Sequence, residues 1–111
     1  MNQRIMGEQM SFADFLLSIA RDASPPGKFG PALAALWYDR RGEWVRAHEL
    51  AQKANGKNGA WVHAYLHRKE GDETNATYWY RLSDRAPSGS GLDEEWAQIA
   101  RSLLNEAEAD D

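Results

Sequence analysis

The chain has 111 residues, 42 % apolar and 27 % charged, which is the balance of one soluble domain. It has no cysteine, which excludes disulfides, thiol catalysis, thiolate zinc sites and iron–sulfur clusters. No run approaches the roughly 18 apolar residues of a membrane span, and the opening Met1-Asn2-Gln3-Arg4 lacks the layout of a secretory signal, so a cytoplasmic location without membrane insertion is expected. The net charge of −4 is uneven: residues 1–91 sum to near +2 and residues 92–111 to about −6. With a pI of 5.3, the basic cluster Arg40, Arg41, Arg46, Arg68 and Lys69 is too local to favour nucleic-acid binding.

Residues 1–10 show no period and read as a flexible arm. Ser11 with Asp14 three residues later is a helix-start signature, and Phe12, Phe15, Leu16, Ile19 and Ala23 then share a face, which predicts a helix over 12–23. Ser24-Pro25-Pro26-Gly27 stops it. Pro31 suits a first helical position, and Leu33, Leu36 and Trp37 form the stripe of a second helix reaching Arg41. Gly42 joins it to a third, running from about Glu43 to Ala54, with Asn55-Gly56 as a left-handed closing cap. A fourth helix is expected from Ala60 to Glu70. After Gly71, Asp72 caps a fifth from Glu73 to Arg85 that ends before Pro87. Tyr78-Trp79-Tyr80 would suit a strand locally, but it lies inside this helical run without turn signals. Pro87 to Gly91 reads as a flexible linker, and Asp93 caps an acidic last helix with the stripe Trp96, Ile99, Leu103 and Leu104, fraying at Asp110 and Asp111. The expected fold is all-α: one domain over 11–111, about six helices, two helix-turn-helix units flanked by a first helix and an acidic helix at 92–111.

Those two units repeat. Gly42 and Gly71 are 29 residues apart, and the same offset carries Trp37 onto Leu66, Ala47 onto Ala76, Leu50 onto Trp79 and Ala51 onto Tyr80. A Gly permits the left-handed turn, an acid after it complements the next helix, and a small Ala lets the paired helices approach. The segment Gly42 to Ala47 (GEWVRA), with Tyr38 before it and Pro87 near the end, resembles the tetratricopeptide repeat superfamily, although the period is shorter than that family's. Gly59 to Tyr80 (GAWVHAYLHRKEGDETNATYWY) also resembles a family of small, uncharacterised bacterial and fungal proteins. The first resemblance implies stacked hairpins with a concave binding surface; the second implies no activity.

His63 and His67 are four apart on one expected helix, as a metal requires when a helix supplies two imidazoles, with His48, Glu70 and Asp72 as candidate further ligands. The competing and favoured reading is a pair of interior histidines satisfied by hydrogen bonds, so no cofactor is expected. Asp39, Glu43, Glu70, Asp72 and Glu73 cluster at the turns without a nucleophile, and carboxylates at helix ends follow from the dipole alone. The loop glycines lack any nucleotide-binding spacing. The contiguous aromatic runs Trp37-Tyr38 and Tyr78-Trp79-Tyr80 should each present one member to the surface or a second interface, since neighbours on a helix point about 100° apart.

Trp61 and Tyr65, with Arg68 and Lys69 one turn on and Leu36, Asp39 and Arg40 beside them, are expected to form a partner-binding face: an aromatic floor with a basic rim. Its ligand would be an acidic peptide or protein, or the chain's own last helix folded back over the linker. The expected function is a non-enzymatic protein interaction or scaffold module, with a homodimer as one way to cover its apolar ends. The alternatives are a metal- or His-dependent enzyme using His63 and His67, and RNA binding through Arg40, Arg41 and Arg68.

Overall fold

The computed structural model describes residues 10–27 and 29–109; the expected arm and the frayed acidic end fall almost wholly outside them. Among the described residues six helices follow in order: α1 Phe12–Arg21, α2 Pro31–Arg40, α3 Trp44–Lys53, α4 Gly56–Lys69, α5 Glu73–Ser83 and α6 Leu92–Ala109. No strand occurs among the described residues.

Local chemistry explains most of the boundaries. Ser11 caps α1 by accepting the Asp14 amide at 3.0 Å. The helix ends at Arg21, two residues before the expected Ala23, where Asp22 turns to extended backbone, and Arg41 satisfies carbonyls at this end by donating to Ile19 O at 2.9 Å and Asp22 O at 2.6 Å. Pro31 opens α2 after Gly30. Asp72 caps α5 by accepting the Asn75 amide, and α5 closes at Ser83, ahead of the expected Arg85, on Asp84 in the left-handed region. Asp93 lies inside the first turn of α6 rather than capping it; the Gly91 amide donates instead to Glu94 Oε1 at 3.3 Å.

The largest departure is the start of α4, four residues before the expected Ala60. Gly56 is left-handed, at φ +78°, yet it opens α4 rather than closing α3. Gly59 explains the tight junction: a Cβ there would lie 2.4 Å from the Ala54 carbonyl oxygen. The end of α3 and the first turn of α4 therefore pack backbone to backbone.

The architecture is two hairpins, α2 with α3 and α4 with α5, joined where α3 packs on α4. α6 packs against α2 and α4, and α1 packs against α2 and α6. α4 is the central element, buried without interruption from Gly59 to His67. Phe15, Leu36, Trp37, Leu66, Trp96 and Ile99 form the middle of the core. Ser18, which the hydrophobic pattern passes over, is buried because its hydroxyl accepts the Trp37 indole N–H at 3.0 Å and donates to Phe15 O.

Candidate metal centre

The junction of α3 and α4 brings three histidines together. His63 and His67 lie one turn apart on α4, both buried, and half-buried His48 faces them from α3. His63 Nε2 is 3.0 Å from His48 Nε2, and one ring nitrogen from each of the three residues lies within 4.8 Å of the others. Aromatic rings wall the cluster. Trp44 stacks on His48 with centroids 4.8 Å apart, and Trp79 of α5 stacks on His63 at 3.9 Å. His67 stacks beneath His63 at 5.0 Å.

This environment favours the neutral imidazole. Burial first, then the adjoining His48 and His67, pushes the His63 pKa down to about 4. Burial and His67 lower that of His48 as well. Metal ligation needs neutral imidazoles, so these rings would shed no charge on binding an ion. Two nitrogens at about 2.0–2.1 Å from a tetrahedral zinc lie about 3.3 Å apart, so the 3.0 Å between His48 and His63 needs only a small opening. Without an ion, one of the two Nε2 atoms must carry a proton donated to the other; an ion would take that proton's place.

Beyond the rings stands a carboxylate shell. His67 Nδ1 is 2.7 Å from Glu70 Oε1, and Asp72 Oδ2 lies further away at 3.9 Å. An ionised carboxylate only accepts, so in this contact His67 Nδ1 is the donor, and a neutral ring holding that bond would keep its lone pair on Nε2. Two imidazoles from one helix, a third from its neighbour and a carboxylate behind one of them are donor types that a transition-metal site could use. The surface cavities beside Trp61 and Arg85, beside Phe29 and Leu103, beside Lys57 and Asp84 and beside Met10 and Arg101 are not lined by a histidine.

The second group singled out in the sequence also converges, but beneath α6. Leu36, Asp39, Trp61 and Tyr65 are buried. Tyr65 donates its hydroxyl to Asp39 Oδ2 at 3.0 Å, and Lys69 donates to Asp39 Oδ1 at 2.9 Å. Arg68 donates to Glu95 Oε1 at 2.7 Å and to the Ser90 carbonyl. Arg40 lies 4.2 Å over the Trp96 ring and 3.4 Å from Asp93. Trp96 donates its indole N–H to Leu36 O at 3.0 Å. Of this group, Arg40 and Arg68 hold the chain's own acidic helix, while Tyr65 and Lys69 are tied to Asp39 of α2.

The other two members of the basic cluster named from the sequence are engaged within the molecule too: Arg41 on the end of α1, and Arg46 over the Tyr38 ring. Sequence reasoning missed Trp44 and Trp79 as the walls of the histidine cluster. Trp44 could have been found from its spacing four residues before His48. Trp79 could have been found from the triple Tyr78-Trp79-Tyr80, of which Tyr78 is the exposed member. Comparison of the chain with protein-family models, curated proteins and solved structures finds no match.

Proposed function

We propose that this chain is a helical metal-binding module that holds one late first-row divalent ion, with zinc as the reference case, on His48, His63 and His67. The observation that carries the reading is the convergence of three imidazole nitrogens within 4.8 Å across the contact between two hairpins. Imidazole suits zinc, copper and nickel, whereas magnesium and calcium want oxygen ligands. Three protein ligands leave one tetrahedral position for water. His63 and His67 are buried among aromatic rings, so the ion's main effect is to pin α3 to α4, and its binding energy becomes folding energy.

The test is calorimetric titration of the chelator-treated full chain with zinc, paired with thermal melts. The expected result is one equivalent bound and a metal-dependent rise in Tm; ion at 100 times Kd stabilises by about 2.7 kcal/mol. His48→Ala, at the half-buried position, should abolish uptake while the chain remains helical. Absence of uptake, or uptake unchanged by His48→Ala, overturns the reading.

A second reading, a module that binds an acidic partner, draws on α6: an acidic helix is already held on α2 and α4 by Arg40–Asp93 and Arg68–Glu95. An external partner would have to displace Trp96, Ile99, Ala100 and Leu104, all buried. Removing that much apolar surface from the core costs several times the roughly 1.5–3 kcal/mol assigned to one large side chain. The metal reading demands no such displacement.

A further inference from the structure

The turn that ends α4 is built twice in this chain, and the two copies differ where it matters. The Glu70 amide donates to Leu66 O at 3.2 Å; 29 residues earlier the Arg41 amide donates to Trp37 O at 3.3 Å. Turn geometry therefore does not require a carboxylate at this place. Helix electrostatics oppose one, because the C-terminal end of a helix favours cations, and Arg41 follows that rule by binding the last carbonyls of α1. Glu70 breaks it. The cations next to it on α4 are engaged elsewhere, Arg68 with Glu95 and Lys69 with Asp39. Glu70 instead folds back three residues onto His67 Nδ1.

Resting on the metal reading above, we infer that Glu70 is a positioning residue: by accepting the Nδ1 proton of His67 it fixes the tautomer whose Nε2 lone pair serves as the third ligand. A neutral imidazole without this partner can place its proton on Nε2, where it would oppose an incoming cation. A carboxylate on the distal nitrogen also makes the ring a better donor and offsets part of the ion's charge, which three neutral imidazoles leave untouched. Asp72 does not perform this task. Its Oδ1 accepts the Asn75 amide at 3.2 Å and its Oδ2 the Asn75 side-chain amide at 2.7 Å, and these bonds hold its pKa below the usual carboxylate range.

The experiment has a metal-free arm and a metal arm, both on the full chain. Long-range proton–nitrogen correlation spectra of the chelator-treated protein report the tautomer of each histidine. His67 should be the Nδ1–H form in the wild type and shift toward Nε2–H in Glu70→Ala. Zinc titration should then show affinity about 10- to 100-fold lower for Glu70→Ala. Glu70→Gln, whose amide oxygen still accepts the proton, should fall between them. The cobalt-loaded protein should change its visible spectrum with Glu70→Ala but not with Glu73→Gln, an exposed carboxylate three residues on. His67 found as Nε2–H in the wild type, or zinc affinity unchanged by Glu70→Ala, overturns the inference. A wild type with the Nδ1–H tautomer, lost in Glu70→Ala, that binds neither zinc nor cobalt overturns the metal reading while the hold of Glu70 on the ring stands.

Discussion

The Glu43 and Asp72 amides make the same hydrogen bond 29 residues apart, Glu43 to Tyr38 O and Asp72 to His67 O, each at 2.9 Å. The equivalence continues through both turns. Gly42 and Gly71 take φ of +83° and +87°, and the Ala47 and Ala76 amides donate to Glu43 O and Asp72 O, each at 3.0 Å. The acid after each glycine therefore begins the next helix, and the Ala four residues on is carried to the helix crossing.

Burial at that crossing predicts little room for a side chain larger than methyl. Ala47 and Ala76 are buried, so Ala76→Leu should cost about 1–3 kcal/mol by overpacking. The urea midpoint measures it, with Ala20→Leu on the exposed side of α1 as control. A midpoint unchanged by Ala76→Leu would show that α5 does not cross α4 at this point.

The hairpins were legible because their signals are local: a glycine that must be left-handed, an alanine that must be small, and Pro31 and Pro87 marking a start and a stop. What escaped depends on how segments pack, whether near or far along the chain. The start of α4 turns on the contact between Gly59 and the Ala54 carbonyl, whereas Asn55-Gly56 taken alone looks like an ending. His63 and His67 advertise themselves by spacing. His48 joins them only through the angle at which α3 meets α4, which periodicity does not encode. The Trp61, Tyr65 and Arg68 cluster was visible as a patch, but its covering depends on where residues 84–91 lead α6.

That covering is held unequally by two ion pairs. Glu95 is 1 % exposed and is satisfied by Arg68 at 2.7 Å and the Tyr80 hydroxyl at 2.5 Å. Removing Arg68 leaves a buried carboxylate short of a partner, so Arg68→Ala should cost about 3 kcal/mol. Arg40 pairs with Asp93, whose side chain is 91 % exposed, and that pair is worth less than about 1 kcal/mol, with the stacking on Trp96 adding a similar amount. Chemical denaturation of the two alanine variants tests the order. Equal losses would mean that the Arg68–Glu95 pair does not anchor α6.

Two glycines separate backbone strain from crowding. Gly42→Ala meets open space and pays only for a left-handed residue, about 1–2 kcal/mol. Gly59→Ala drives a methyl into the Ala54 carbonyl and must push α3 away from α4. Because the histidines straddle the same junction, Gly59→Ala should weaken zinc binding as well as stability, whereas Gly42→Ala should lower stability alone. Melting curves and zinc titration on both variants decide; zinc affinity retained in Gly59→Ala would show that the junction can widen without moving His48.

The titration of the core sets stability limits in both directions. His63 has a pKa of about 4 in the folded protein against 6.5 for an unperturbed histidine, so the unfolded chain takes up the proton first. Its contribution is complete above about pH 6.5 and is lost as pH falls toward 4, amounting to at most about 3 kcal/mol. His48 acts in the same direction. On the alkaline side, burial and the neighbouring carboxylates raise the pKa of Tyr65, beside Asp39, and of Tyr80, beside Glu95. The unfolded chain then releases its phenolic protons first, and stability should fall as pH rises above about 10. The measurement is unfolding free energy against pH in chelator, for the wild type and His63→Gln. The variant should lose less stability than the wild type between pH 6.5 and 4.5, by up to one proton's worth of slope. Parallel curves would show that His63 is protonated as readily in the folded chain as in the unfolded one, and therefore that it does not sit neutral against His48 and Trp79.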